Sequence, residues 1–193
     1  GIQINKMKIT IFTPTYNRAQ LLVDVYTSLC NQKSNDFEWI IVDDGSTDDT
    51  KVFVSNFVKE ANFSITYYKQ KNSGKHFAIN KGLELAKGDY FLILDSDDKL
   101  PINAMATINY YIDKSQNNPN IGGVAGRRNY NDGSIVGNQN FDEISTNSID
   151  IRYKYKVTGD LVEIHKTKVL KRFLFPEIEN EKLKFKLINQ SDN

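Results

Sequence analysis

Over its first two-thirds the chain alternates short, continuous apolar runs with stretches in which apolar residues recur every three or four positions. Continuous runs suit strands covered on both faces, and the wider spacing suits amphipathic helices. Residues 8–14 carry Ile9, Ile11 and Phe12 and end at Pro14, while residues 37–42 contain Trp39, Ile40, Ile41 and Val42 and run into two aspartates. Both read as buried central strands. Between them Leu21, Leu22, Val25 and Leu29 share a helical face, with Asn17 in the linking turn as a cap, which completes a βαβ unit.

The alternation continues with a helix from about residue 48 carrying Val54, Phe57 and Val58, then a strand through Phe63, Ile65 and Tyr67. A third helix over residues 74–87 closes at Gly88, and residues 89–94 form another apolar run. Pro101 suits the first turn of a helix with Met105, Ile108 and Ile112 on one side, and Gly122, Gly123 and Gly126 punctuate a further strand. Beyond residue 131 the pattern is less regular. Asn131-Asp132-Gly133-Ser134 predicts a hairpin, residues 151–165 one or two strands, and residues 167–173 and 181–188 short helices. The expected fold is α/β, with a central, mostly parallel sheet flanked by helices and a smaller mixed or antiparallel region after it.

Length and composition narrow this reading. A chain of 193 residues with 39% hydrophobic content supports one substantial core, so a single domain is expected. The formal net charge of +1 gives no global field toward nucleic acid or an anionic membrane, so no nucleic-acid partner is expected. Cys30 is the one cysteine, read on the apolar face of its helix, which excludes a disulfide framework and a cysteine metal site and fits a reducing cytoplasm. No apolar run approaches the roughly 20 residues of a membrane span and no leader precedes the first strand, so the sequence as written reads as soluble and cytoplasmic.

Candidate chemistry gathers where parallel strands end, the edge at which ligands bind in such sheets. Three polar segments lie there: Thr13-Pro14-Thr15-Tyr16-Asn17-Arg18, Asp43-Asp44-Gly45-Ser46-Thr47-Asp48 and Asp95-Ser96-Asp97-Asp98. Each also has an ordinary reading as a turn or helix cap. Together they place Asp43, Asp44, Asp95, Asp97 and Asp98 on one rim, whose mutual repulsion a divalent cation would relieve. Hard carboxylate oxygens favour Mg2+ or Mn2+, ions held by one or two carboxylates with water and phosphate completing the shell, which implies a diphosphate substrate. No P-loop and no Gly-x-Gly-x-x-Gly follows the first strand, so neither a P-loop NTPase nor a dinucleotide dehydrogenase is supported. Lys75 and His76 open the third helix, where a cation and N-terminal amides could meet a diphosphate, with a solvated lysine and a capping histidine as the alternative. His165 could complete a metal shell, although a lone histidine on a strand is more often structural.

These segments, with Asn72-Ser73-Gly74, Asn80-Lys81-Gly82 and Ala86-Lys87-Gly88-Asp89 between them, resemble in order the signatures of family 2 glycosyltransferases. The resemblance covers about the first half of the chain. It implies the Rossmann-like GT-A fold, with a nucleotide-sugar-binding half over about residues 7–127 and an acceptor-side half over about 128–193. It implies an inverting transfer of sugar from a nucleoside diphosphate sugar, with UDP favoured, to a hydroxyl of a glycan or lipid-linked acceptor, possible at the inner face of the membrane. Pro14, Thr15 and Tyr16 would then line the base and ribose, Asp44 would accept a hydrogen bond from the base, and Asp43 would support that loop. Thr13, Arg18 and Ser96 count with the same nucleotide-sugar set, as do Lys75 and His76. Asp95 would reach the ribose or the metal, Asp97 would coordinate the metal, and Asp98 is an alternative ligand.

The family's general base usually lies in a Glu-Asp pair near the end of the domain, after a Phe-Asp/Pro-Glu turn. Here Phe175-Pro176-Glu177 precedes Glu181-Lys182, with lysine in the expected aspartate position. Glu181 is the best candidate for the base, with Asp160 and Glu179 behind it. A continuation beyond Asn193 would carry further acceptor-side groups. The substitution at Lys182 motivates the alternative of a non-catalytic nucleotide-sugar-binding module. A sugar nucleotidyltransferase would present a Gly-rich, Lys-ended loop after the first strand, which residues 13–18 are not.

Overall fold

The computed structural model describes residues 9–115, 123–128, 135–136 and 161–171. These form β1 (Ile9–Thr15), α1 (Ala19–Cys30), β2 (Phe37–Asp43), α2 (Thr50–Glu60), β3 (Ser64–Lys69), α3 (Lys75–Leu85), β4 (Tyr90–Ile93), α4 (Ala104–Ser115), β5 (Gly123–Arg128), β6 (Ile135–Val136), β7 (Leu161–Lys166) and a short helix α5 (Thr167–Leu170). The strands make one seven-stranded sheet in the order β3-β2-β1-β4-β7-β5-β6. β1 pairs in parallel with β2 and β4, and β2 with β3. β7 is antiparallel to both β4 and β5, so β5 runs with the first four strands while β6 and β7 run against them. The expected mostly parallel sheet with a mixed region is what forms.

Alternation along β1 and β2 divides the core. Ile9, Ile11, Phe37, Trp39 and Ile41 face α1, α2 and α4 and join Leu22, Val25, Leu29, Val54, Phe57, Met105, Ile108 and Ile112. On the opposite face Phe12, Ile40, Val42 and Phe91 meet Ala78, Leu83 and Ala86 of α3 and its end, with Leu170 of α5 packed alongside. Burial on both faces explains why these strands read as continuous apolar runs. Two glycines set the closeness of the second layer. A Cβ on Gly82 would lie 2.4 Å from the Phe12 ring, and one on Gly88 would lie 2.5 Å from the Thr10 amide nitrogen.

Three helical expectations are corrected by packing geometry. Leu21 and Val58 are 42% and 51% exposed, because only part of each predicted stripe meets the sheet. Cys30 closes α1 on its exposed side instead of in the core. Asn17 does not cap α1: the N-cap is Arg18, and the Ala19 N–H is capped by the Asp48 carboxylate at 3.0 Å, from the neighbouring loop. The expectations for residues 131–134, 151–160, 172–173 and 181–188 fall outside the described residues.

Candidate active site

At the carboxyl edge of β1, β2 and β4 the ladder continues beyond the strands: the Asp44 N–H donates to the Thr15 carbonyl at 2.9 Å and the Leu94 N–H to the Phe12 carbonyl at 2.8 Å. The three polar loops therefore start from fixed backbone positions. Side chains then join them, with the segment before α3, into a closed ring.

The first two loops are joined by Asn17, whose N–H donates to the Ser46 hydroxyl at 2.8 Å and whose carboxamide oxygen accepts the Thr47 N–H at 2.7 Å. The second loop holds the segment before α3 through Asp44, which accepts the Gln70 side-chain amide at 2.8 Å and the N–H groups of Ser73 and Gly74 at 2.7 and 3.0 Å. Gly74 has φ +102°, a conformation open to glycine, and it directs these amides at Asp44 before α3 begins. Lys75 opens α3 and pairs with Asp95 at 2.7 Å. Arg18 closes the ring, with one guanidinium nitrogen 3.2 Å from the Ser96 hydroxyl and 3.5 Å from Asp97.

This arrangement sorts the predicted residues. Thr13 is fully buried and its hydroxyl accepts the Trp39 indole N–H at 2.9 Å, so it lies beneath the edge, bracing β1 against β2, out of reach of a ligand. Asp43 is likewise fully buried. One of its oxygens accepts the Ser46 N–H at 2.7 Å and the other the Tyr67 hydroxyl at 2.5 Å, so it ties the second loop to β3. Burial, then the hydrogen bond to Asp43 and its charge, push the Tyr67 hydroxyl well above the ordinary tyrosine range. Thr15 is 4% exposed, and its hydroxyl has no hydrogen-bond partner among the described residues. A buried hydroxyl without a partner is rare and marks a place for a ligand atom or water. Tyr16, next in the chain, stands 47% exposed on the rim. His76 is partly buried, its ring against Phe77 at 4.3 Å.

Part of the charge of these carboxylates is met by the protein itself: Asp43 and Asp44 are held by donors, and Asp95 and Asp97 each face a basic side chain. The Asp98 N–H donates to the Asp95 carbonyl in a tight turn at 3.0 Å. Among the described residues no three His, Cys, Asp or Glu side chains converge as a metal cage. The donor set still fits Mg2+ or Mn2+, because Asp95 and Asp97 are two hard oxygen donors on one short, solvent-reachable loop and such ions take one or two carboxylates beside phosphate and water. His165 is remote from them. It pairs with Phe91, four residues before Asp95, or about 13 Å down the strand. Asp160, Glu179 and Glu181 lie outside the described residues.

Asn17, Ser46, Asp48, Gln70 and Ser73 are ring members that sequence reasoning did not assign to the site. Asp48 accepts from Ala19 and Thr50, joining the starts of α1 and α2. Burial alone would raise its pKa, but the Thr50 hydroxyl and the Ala19 and Thr50 amides outweigh it and hold the carboxyl below its ordinary range.

Residues 10–179 match the family described as Glycosyl transferase family 2. A GalNAc(5)-diNAcBac-PP-undecaprenol beta-1,3-glucosyltransferase of Campylobacter jejuni is 38% identical over 52% of this chain, a match spanning 33% of that relative's length. An uncharacterized glycosyltransferase of Haemophilus influenzae is 31% identical over 94% of this chain and 71% of its own. Among solved structures, Staphylococcus aureus TarS 1-349 in complex with UDP-GlcNAc superposes with a TM-score of 0.66 at 25% identity, covering 90% of this chain and 50% of that one. The mannosyltransferase PcManGT of Pyrobaculum calidifontis, in complex with GDP-Man and Mn2+, gives a TM-score of 0.65 at 23% identity, over 88% of this chain and 47% of that one.

Proposed function

The chain belongs to glycosyl transferase family 2, and from that premise we propose that it carries the nucleotide-sugar site of an inverting glycosyltransferase using a UDP-sugar and Mn2+ or Mg2+. The observation that carries this reading is the ring of four segments at the sheet's carboxyl edge, which brings the unpartnered Thr15 hydroxyl, exposed Tyr16, Asp44 and the Asp95-Ser96-Asp97 loop to one rim. UDP-GlcNAc bound to TarS favours a uridine donor, while GDP-Man bound to PcManGT is the competing choice.

In this reading Pro14, Thr15 and Tyr16 line the base and ribose, and Asp44 receives the base while its other bonds fix the segment before α3. Asp97, with Asp95, would hold the cation, and Asp98 would be the alternative ligand. When bound, the cation neutralises charge on the departing nucleoside diphosphate, a contribution of several kcal/mol. Lys75 and Arg18 already stand beside the two carboxylates and are placed to turn toward a diphosphate. His76 and Ser96 complete the donor side. Residues of about 7–127 form the donor half and about 128–193 the acceptor half.

A carboxylate must remove the acceptor proton, typically worth 10² to 10⁴ in rate. We assign this to Glu181, with Asp160 as the second candidate. The undecaprenol-linked substrate in the Campylobacter relative's name supports a glycan or lipid-linked acceptor, met by a cytoplasmic protein at the inner membrane face. No helix among the described residues is long and apolar enough to cross a membrane.

Calorimetry with UDP, GDP and dTDP tests the donor side. Mn2+-dependent binding of one nucleotide is expected, at least tenfold weaker in Asp97→Ala. Equal Mn2+ dependence in the two proteins would remove Asp97 from the site.

A further inference from the structure

Asn17 is the one non-glycine with positive φ among the described residues, at +51°. Left-handed backbone is disfavoured for L-residues, tolerated best by asparagine and aspartate, and tends to mark functional positions when it persists. Here it stands directly after Tyr16 and directly before Arg18, two residues of the donor rim.

Its hydrogen bonds join the first loop to the second. The Asn17 N–H reaches the Ser46 hydroxyl at 2.8 Å, and its carboxamide oxygen accepts the Thr47 N–H at 2.7 Å and the Asp48 N–H at 3.3 Å. Ser46 is buried and donates its own N–H to Asp43, so this clamp ends on the turn that carries Asp44. Asp48 returns the connection by accepting the Ala19 N–H at 3.0 Å. The Asn17 carboxamide is itself exposed, so these bonds, unlike a core contact, are not required by burial.

We propose that Asn17 is a positioning residue of the nucleotide site: its left-handed turn and carboxamide fix Tyr16 on the first loop relative to Asp44 on the second, so that the base meets both without rearrangement. The inference deepens the nucleotide-sugar reading above and rests on it. Preorganised contacts improve binding by removing the ordering cost that a loose loop imposes when the ligand arrives. The effect is expected in donor affinity, because the hydrogen bonds of Asn17 run between the first and second loops, which carry Tyr16 and Asp44.

The test compares Asn17→Gly, Asn17→Asp and the wild type for UDP, GDP and dTDP affinity with Mn2+, for thermal midpoint, and for donor hydrolysis kinetics. Glycine adopts the φ without strain but lacks the carboxamide; aspartate retains an oxygen acceptor. Expected are a roughly tenfold or greater loss of nucleotide affinity in Asn17→Gly, a matching rise in donor KM with kcat little changed, and recovery of most of the affinity in Asn17→Asp. If the wild type binds a nucleotide and Asn17→Gly binds it equally, or if kcat falls at constant KM, the Asn17 assignment is overturned while the donor reading stands. A wild type that binds no nucleotide overturns both.

Discussion

At the residue scale the account turns on where each carboxylate's charge is met. Asp43 is the buried one, satisfied by Ser46 and Tyr67. Removing the phenolic hydroxyl leaves a buried carboxylate oxygen short of a donor, so Tyr67→Phe is expected to destabilise the fold by about 1–3 kcal/mol in urea titrations. The pH dependence carries the same signature. Tyr67 is raised above its ordinary value by burial and by Asp43, so its contribution is complete below the unfolded-state value near pH 10 and is lost as pH rises beyond it. Tyr26, pushed up to about 12 by burial and then by its contact with Cys30, acts in the same window. Stability should fall above pH 10 less steeply in Tyr67→Phe than in the wild type. Asp48 has the opposite sign: its lowered value adds stability that is present above about pH 4 and lost as pH falls through the folded-state value, so Asp48→Ala should flatten the acid limb of a stability profile.

At the scale of elements β1, β2 and β4 were legible because burial on both faces demands unbroken apolar runs, and α1 to α4 because one face must match the sheet. Exposure within a helix was less legible. Val58 and Leu21 fit the apolar spacing yet point outward, since the breadth of the buried stripe depends on which neighbours the sheet order supplies. The close fit of α3 and the β4 entry was marked only by Gly82 and Gly88, and their reason lies in three dimensions. An added methyl at Gly88 would meet the backbone of Ile9 and Thr10 at 2.7 and 2.5 Å, and backbone in a central strand has little room to yield. Gly88→Ala is expected to cost at least 1–3 kcal/mol, measured as a lowered denaturation midpoint with unchanged slope.

At the scale of the whole molecule, the parallel order of β3, β2, β1 and β4 gathers loops distant in sequence onto one edge. The sequence motifs put the three polar loops at the ends of parallel strands, where they lie, but carried no sign of how their acids are held. Local sequence carries no sign that Arg18 will reach Asp97 or that Lys75 will reach Asp95, since those pairs exist only once β1, α3 and β4 are side by side. The local sequence around Asn17 suggests a helix cap for the same reason: its partners at residues 46–48 arrive through the β1–β2 pairing. A ligand that binds only the assembled edge must stabilise the whole fold, by about 2.7 kcal/mol at a hundred times its Kd. UDP with Mn2+ should therefore raise the thermal midpoint, and Asp97→Ala, binding at least tenfold more weakly, should lose about half of that rise or more.

The most direct measurement is a crystal structure grown with UDP and Mn2+, recorded with anomalous scattering from manganese. The account predicts an anomalous peak beside the Asp97 carboxylate, the base between Tyr16 and Asp44, and Thr15 bonded to the nucleotide. Saturating nucleotide and metal with this edge empty, or with manganese bound elsewhere, would contradict it.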